Sequence, residues 1–196
     1  GRTLGDIAKD LGKRAFDTML DLAIEEGLRT SFMPMPATDE EKLWKVRGDL
    51  WRDERTVIGG SDAGAHLDMI DTFAYSSHVL SSGVRDHKVI SLEEAIHQLT
   101  QVPAELYGLR ERGLLKPGWH ADLVIFDPET VGSGKTYMRH DLPANESRIY
   151  ADAQGVQHVF VNGVQTIENG THTGRLPGVV MRSGRDTETP RLRTAT

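Results

Sequence analysis

Asp62 is the side chain in this sequence whose surroundings best suit acid–base chemistry. It follows a short apolar run, Val57-Ile58, and lies between the pair Gly59-Gly60 and Gly64. An apolar run of this length is typical of a buried strand and is too short for a helix. In α/β folds, the carboxyl ends of such strands carry the catalytic side chains. Asp62 is therefore a candidate catalytic carboxylate, although an aspartate here could equally make an Asx-turn at the start of a loop.

Two neighbours of Asp62 are candidates for contact with a substrate. Gly64 has no side chain, so the backbone there can come close to a bound molecule and can adopt a positive φ. His66 lies four residues after Asp62 and could reach the same pocket, or it could be a structural or surface histidine.

The same stretch excludes other kinds of catalytic site. The Gly-x-Ser-x-Gly pattern of a nucleophilic serine is not met at Ser61, because residue 63 is alanine. No Lys-Ser/Thr pair follows the glycines, as it would in a phosphate-binding loop. The chain has no cysteine, which excludes thiolate chemistry and disulfides. Any metal would be held by carboxylates and the eight histidines.

The composition is typical of a globular protein and limits the partners to expect. Of the 196 residues, 38% are hydrophobic and 27% charged, and the net charge is −6. A nucleic-acid partner would require a basic stripe, so none is expected. No apolar run is long enough to cross a bilayer and no signal peptide precedes the first predicted helix, so a cytoplasmic location is expected. The chain starts without an initiator Met, and we expect it to be part of something longer.

The elements that would position Asp62 alternate between helix and strand. Apolar periodicity and capping signals predict the order helix, strand, helix, strand, which favours parallel strands joined by helical crossovers. After His66 a helix is expected to end at Ser82-Gly83, and the capping box from Ser91 to Glu94 begins another. Helices are predicted at residues 3–13, 14–26, 38–49, 67–80 and 91–101 and from 103, and strands at 28–33 and 57–60.

The sequence becomes richer in strands after Gly113. Strands are predicted at 121–126, 156–161 and 164–167, with a long loop at 129–155. Asn162-Gly163 between two strands is the strongest short signal for a β-hairpin, and Asn169-Gly170 indicates a second turn. Residues 175–196 have little apolar periodicity and are expected to form a tail along the surface.

Both halves of the chain lack the strands that a closed fold requires. An eight-stranded α/β barrel needs about 250 residues, and the first 110 supply two predicted strands. The strand-rich part is also too small for a closed sheet. We therefore expect the missing strands in another stretch of chain, either upstream or in a second polypeptide.

Four segments of the sequence resemble the carboxy-terminal part of the amidohydrolase superfamily, and most closely its N-acyl-D-amino-acid deacylase branch. They are GSDAGAH at 60–66, SLEEAIHQLTQVPAELYGL at 91–109, RGLLKPGWHADLVIFDPETV at 112–131 and ADAQGVQHVFVNGVQTIENGTHTGRLPG at 151–178. The resemblance implies an α/β fold, the C-terminal part of a (β/α)8 TIM-like barrel plus part of a small β-sandwich. It implies barrel units at 1–110, a sandwich portion at 111–175 and a surface tail at 176–196.

The resemblance implies a metal-dependent hydrolase of an amide C–N bond in an N-acyl-D-amino acid or a related small molecule. Asp62 would match the aspartate after barrel strand eight, which takes a proton from metal-bound water and passes it to the leaving nitrogen. Asp62 could also ligate the metal. The cofactor would be one or two divalent metals, expected to be zinc, held mainly by residues outside this chain.

The sequence departs from the family pattern in two ways. The His-x-His pair that follows strand one is absent, so the other metal ligands are expected upstream. An arginine that binds the substrate carboxylate in some deacylases would fall at position 73, which is Phe73; Arg85 could serve instead. The alternative function is a non-catalytic subunit or scaffold that completes the fold of a partner chain carrying the ligands. A homo-oligomer is compatible with either function.

Overall fold

The structure is a computed structural model that describes residues 2–30, 32 and 41–190. The chain divides into two compact units, Gly1–Asp39 and Glu40–Thr196. The predicted boundaries at 110/111 and 175/176 both fall inside the second unit, and that three-part division stays a prediction.

The first unit is a pair of helices, α1 (Leu4–Leu11) and α2 (Ala15–Glu25), as the apolar periodicity predicted. Thr3 caps α1, because its side-chain oxygen accepts a hydrogen bond of 3.1 Å from the Asp6 amide. The apolar stripe of α2 is largely open to solvent, with Phe16 64% and Ile24 73% exposed.

Neither of the two predicted parallel strands is present in the described residues. Residues 28–30 and 32 are not in a strand, and Leu28 has a φ of 62°; residues 31 and 33–40, including the predicted cap Thr38, lie outside the described ranges. The segment Val57 to Gly60 is also irregular. A strand is stabilised by pairing with a neighbour. Every paired strand in the described ranges lies between residues 123 and 172, so neither segment has a partner there.

The second unit begins with a helical part packed around Val79, Ile90 and Ala95. Its helices are α3 (Glu41–Arg52), a 3-10 turn (Thr72–Ala74), α4 (Tyr75–His78), a π-helical segment (Val79–Asp86), α5 (Leu92–Leu99) and α6 (Gln101–Leu106). Among residues 2–30, 32 and 41–190, none of the helices has the length and apolar character needed to cross a membrane.

The π-helical segment overturns the predicted helix end at Ser82-Gly83. The chain stays helical through Gly83, and the aromatic ring of Trp51 fills the space where a side chain would stand. A Cβ built on Gly83 would lie 2.8 Å from Trp51 Cζ3. Gly83 therefore permits close packing against Trp51 instead of ending the helix. The predicted helix start at residue 67 was also wrong, because residues 66–70 form a turn and the helix begins at Thr72.

Replacing Gly83 by alanine should destabilise the second unit. The added methyl group would push the Trp51 ring out of the core, at a cost of about 1–3 kcal/mol, against a gain of about 1 kcal/mol in helix propensity. The free energy of unfolding in urea would measure this. Gly60→Ala is the matched control, because a Cβ there meets nothing within 4 Å. Equal stabilities of the two variants would contradict the packing at Gly83.

The predicted capping box at the start of α5 is confirmed. The Ser91 side chain accepts a hydrogen bond from the Glu94 amide at 3.1 Å, and the Glu94 carboxylate accepts one from the Ser91 amide at 2.8 Å. Arg52 of α3 donates to the same carboxylate at 2.9 Å and to the Val89 carbonyl at 2.7 Å. The Arg52 guanidinium, together with the Ser91 amide, lowers the pKa of Glu94 to about 2. One carboxylate thus caps α5 and joins it to α3.

The lowered pKa makes a prediction about stability at acid pH. Ionised Glu94 stabilises the fold above its unfolded pKa of about 4.3, and this stabilisation is lost as the pH falls toward the folded value. Glu94→Gln should unfold more easily than the parent at pH 7 and should lose less stability between pH 4.5 and pH 2. Glu93→Gln, which removes an exposed charge from the same helical turn, is the control. Identical acid profiles for the parent and Glu94→Gln would show that the pair with Arg52 contributes nothing.

The strand-rich part contains antiparallel pairs only. The strands are β1 (Leu123–Phe126), β2 (Gly132–Ser133), β3 (Tyr137–His140), β4 (Ser147–Tyr150), β5 (Ala153–Gln154), β6 (Val156–Val161), β7 (Val164–Glu168) and β8 (Thr171–His172). Four of them form one sheet in the order β1-β6-β7-β8, and its hairpins turn at Asn162-Gly163 and Asn169-Gly170, as predicted. Both asparagines have a positive φ, 49° and 48°, as such tight turns require.

The predicted loop at 129–155 contains two further strand pairs, β2 with β5 and β3 with β4. The tail follows the surface beside residues 108–110, where the Glu188 amide donates to the Gly108 carbonyl at 2.7 Å; residues 191–196 lie outside the described ranges. The predicted mixture of helices and sheet is confirmed, while the barrel and the sandwich stay predictions.

Candidate functional site

Asp62 lies on an exposed loop and keeps its carboxylate free of described partners. Its φ of 55° is in the left-handed region, which aspartate tolerates better than most residues. No hydrogen bond or ion pair joins its carboxylate to another residue of the described ranges. The local turn is made by Ser61, whose side-chain oxygen accepts a hydrogen bond of 3.1 Å from the Ala63 amide. The Asx-turn that the sequence also allowed at Asp62 is therefore not formed.

The backbone around Asp62 is held from within the loop and from outside it. Within the loop, the Ala65 amide donates to the Asp62 carbonyl at 3.3 Å. From outside, the Thr72 hydroxyl donates to the Ser61 carbonyl, immediately before Asp62. On the other side, the Ile149 amide of β4 donates to the Leu67 carbonyl at 2.7 Å. These contacts fix the backbone and leave the Asp62 side chain exposed.

The structure places Gly64 and His66 on the same exposed loop. Gly64 has a φ of 96°, and a Cβ built there would meet nothing within 4 Å. His66 has a φ of 49°, its imidazole has no hydrogen-bonding partner among the described residues, and its carbonyl accepts two amides, each at 2.9 Å. Left-handed geometry at Asp62 and His66 costs about 1–2 kcal/mol per residue. Their role in binding a substrate stays a prediction.

Arg85 makes contacts that favour a structural role. It lies in the π-helical segment and is partly buried. Its guanidinium donates to the Val131 carbonyl at 2.7 Å and to the Asp86 carboxylate at 3.0 Å. It therefore joins the helical part to the strand-rich part. Binding of a substrate carboxylate by Arg85 stays a prediction.

A large cavity of the second unit lies away from Asp62. It has a volume of about 990 Å³ and is lined mainly by apolar side chains of α5, α6 and β1. Among its charged groups, Arg112 pairs with Asp122 and donates to Asn162 at 3.0 Å. Asp62, Gly64, His66 and Arg85 are not among its lining residues. The candidate site is thus the exposed loop and not this cavity.

Comparison with known proteins decides the family. The sequence profile of the amidohydrolase family matches residues 15–167, more than three quarters of the chain. The chain belongs to the amidohydrolase family. The superfamily and the deacylase branch inferred from the four segments are both confirmed, because the relatives below are deacylases.

This amidohydrolase chain is similar to three enzymes of Alcaligenes xylosoxydans xylosoxydans. It is 43% identical to an N-acyl-D-aspartate deacylase over 109 residues, 55% of this chain and 20% of that protein. It is 34% identical to an N-acyl-D-glutamate deacylase over 150 residues, 74% of this chain and 27% of that protein. It is 29% identical to a D-aminoacylase over 185 residues, 92% and 34% respectively. The chain thus spans about a third or less of these relatives.

Two solved structures of D-aminoacylase are similar to the fold of this chain. A crystal structure that defines a novel subset of amidohydrolases superposes with a TM-score of 0.54 at 29% identity, covering 89% of this chain and 33% of that one. The second structure, from work on the binuclear metal centre of D-aminoacylase, gives a TM-score of 0.50 at 28% identity with the same coverage.

The described residues of this amidohydrolase chain do not form a metal site by themselves. In residues 2–30, 32 and 41–190, no three histidine, aspartate or glutamate side chains come together in a way that could hold a metal ion. Asp62 has a free carboxylate, but a single exposed carboxylate is not a metal site. Ligation of a metal by Asp62 therefore stays a prediction.

The structure brings together a charged cluster that the sequence did not indicate. Arg139, Asp141 and Arg148 lie together on the hairpin of β3 and β4, next to the ring of Tyr150. In the sequence, aromatic and charged residues occur at every second position on both sides of Leu142-Pro143. This alternation is typical of one face of a β-hairpin and could have indicated the cluster.

Removing the Thr72 hydroxyl should loosen the Asp62 loop. Thr72→Val keeps the shape of the side chain and removes the donor to the Ser61 carbonyl, so amide hydrogen exchange at residues 63–70 should become faster. Thr100→Val is the matched control, because it removes a comparable bond of 2.7 Å to the Ile96 carbonyl elsewhere. Unchanged exchange in Thr72→Val would show that Thr72 does not hold the loop.

Proposed function

We propose that this chain supplies the general acid–base residue of a hydrolase that cleaves the amide C–N bond of an N-acyl-D-amino acid. The proposal rests on the exposure and the lack of bonding partners of the Asp62 carboxylate. Its carboxylate is exposed and without described partners, although the backbone on both sides is held by hydrogen bonds. A carboxylate whose only function was to stabilise a turn would accept a backbone amide.

Asp62 would move one proton in each half of the reaction. As a base, its carboxylate accepts a proton from the water that attacks the amide carbonyl carbon. As an acid, it gives that proton to the nitrogen when the C–N bond breaks, so that a carboxylate and an amine leave. A side chain within hydrogen-bonding reach of both atoms suits this exchange. The supporting comparison is the similarity to three deacylases whose names specify acylated D-amino acids or D-aminoacylase activity.

The rest of the active site would come from outside the described residues. One or two divalent metals, expected to be zinc, would be held mainly by residues beyond those described. The support for a metal site is the similarity to D-aminoacylase, which has a binuclear metal centre. The uncovered apolar side chains of α2 are consistent with further chain packing on them. Activity would then require the remainder of the barrel, whether upstream or in a second polypeptide.

A scaffold function is the second candidate, and it is favoured because residues 2–30, 32 and 41–190 contain no cluster of metal-binding side chains. If the described residues only complete the fold of a partner that carries a full site, Asp62 would be dispensable. The expected cytoplasmic location, the expected lack of a nucleic-acid partner and the compatible homo-oligomer stay predictions under either function.

Replacing Asp62 by asparagine distinguishes the two functions. In the native protein that contains these residues, Asp62→Asn should lower kcat for N-acetyl-D-aspartate and N-acetyl-D-leucine by about 10²–10⁴-fold, because the general acid–base group is lost. Asparagine tolerates the left-handed backbone, so the loop should keep its shape.

Asp68→Asn is the control, because Asp68 is an exposed carboxylate on the same loop. Its kcat should stay within about twofold of the parent, as expected for a surface charge away from the chemistry. Full activity in Asp62→Asn would contradict the proposed role and favour the scaffold function.

A further inference from the structure

The chain contains two Asn-Gly turns with the same backbone geometry. Asn162 and Asn169 have φ values of 49° and 48°, and the glycines that follow them have 77° and 75°. Each glycine amide donates one backbone hydrogen bond, Gly163 at 2.9 Å and Gly170 at 3.0 Å. The two dipeptides are therefore a matched pair, and what distinguishes them is the environment of the asparagine side chain.

The side chain of Asn162 is held by two hydrogen bonds. Its Oδ1 accepts from Arg112 Nη2 at 3.0 Å, and its Nδ2 donates to the Pro177 carbonyl at 2.8 Å. Arg112 is itself fixed, because it pairs with Asp122 and its side chain is only 12% exposed. The Asp122 carboxylate also accepts the main-chain amide of Asn162 at 2.8 Å. Both polar atoms of this side-chain amide are thus occupied, and its orientation is set.

The side chain of Asn169 is not held in this way. Asn169 and Gly170 are exposed in the turn between β7 and β8, and nothing in the described part of the chain hydrogen-bonds to the Asn169 side-chain amide. Rotation about its side-chain bonds can therefore bring Cγ toward the main-chain nitrogen of Gly170. The turn itself is lightly anchored, because β8 has two residues and pairs only with β7 among the described strands.

We propose that Asn169 is a site of spontaneous deamidation and that the fold protects Asn162 from the same reaction. The main-chain nitrogen of Gly170 attacks Cγ of Asn169 and loses its proton, and the new C–N bond closes a succinimide ring. The Cγ–Nδ2 bond breaks, and ammonia leaves. Water then opens the ring, at Cγ to give aspartate or at the main-chain carbonyl to give isoaspartate. Glycine favours the attack because no Cβ shields its nitrogen.

Deamidation would act on the hairpin of β7 and β8 in two ways. Either product places a new carboxylate next to Glu168, and the two like charges repel. Isoaspartate also adds one atom to the main chain within the turn. Because the register of a hairpin is fixed by the length of its turn, the Thr173 amide should then lose its bond of 2.9 Å to the Thr166 carbonyl. Isoaspartate at position 169 should therefore release β8 from the sheet.

Incubation of the native protein that contains these residues, at mildly alkaline pH, tests the assignment. Peptide mass spectrometry should find the amide-to-carboxyl mass shift at Asn169, with both aspartate and isoaspartate present. Conversion at Asn162 should be about 10–100-fold slower, because two hydrogen bonds must first break. In urea the two sites should convert at similar rates. Equal native rates, or faster conversion at Asn162, would overturn the proposal, and so would an Asn169 that stays intact in the native protein.

Amide hydrogen exchange tests the effect on β8. In the incubated parent, exchange at residues 171–173 should be faster than in fresh protein, in proportion to the isoaspartate formed. Asn169→Gln, whose longer side chain closes the ring less readily, should keep the exchange rate of fresh protein through the same incubation. Asn169→Asp adds the charge without the extra main-chain atom and should show a smaller change. Equal exchange in the incubated parent and in Asn169→Gln would overturn the release of β8.

Discussion

The hydrogen bond from the Ile149 amide to the Leu67 carbonyl joins two parts of the second unit that are far apart in sequence. On one side is the loop with the left-handed Asp62, and on the other is the hairpin with its paired arginines. The Thr72 hydroxyl holds the same loop at its other end. Without these two contacts the loop would be held only by its own turns, and the backbone that carries Asp62 would be less well fixed. A general base requires a defined position, because proton transfer depends on hydrogen-bonding reach.

Local signals in the sequence predicted the elements that depend on local contacts. The capping box at Ser91 and the Asn-Gly hairpin at 162–163 form as expected, since each is closed by residues a few positions apart. The segments at 28–33 and 57–60 were predicted as strands from apolar content alone, but a strand depends on partners that sequence does not identify. The π-helical segment depends on the fit of Trp51 against Gly83, a contact across 32 positions of sequence.

The candidate site also combines features that local sequence predicted with features that depend on distant contacts. The sequence predicted Asp62 at the carboxyl end of a buried strand, whereas the structure has no strand at 57–60 and places Asp62 on an exposed loop. The family followed from four segments and is confirmed by the profile match and the relatives. The cluster of Arg139, Asp141 and Arg148 was missed, because the segment that contains it was predicted as a loop and the cluster depends on the register of two strands there. The identity of the metal ligands could not be obtained either, because no such group occurs in the described ranges.

The strand order of the main sheet leaves β1 at an edge, which affects the solubility of these residues. Among the described residues, β1 pairs with β6 on one side only, and it carries Val124 and Ile125, 56% and 46% exposed. An unpaired edge with apolar side chains is a template on which other chains can add strands. These 196 residues produced alone would therefore tend to self-associate through β1, and the solubility of a preparation would report how well that edge is covered.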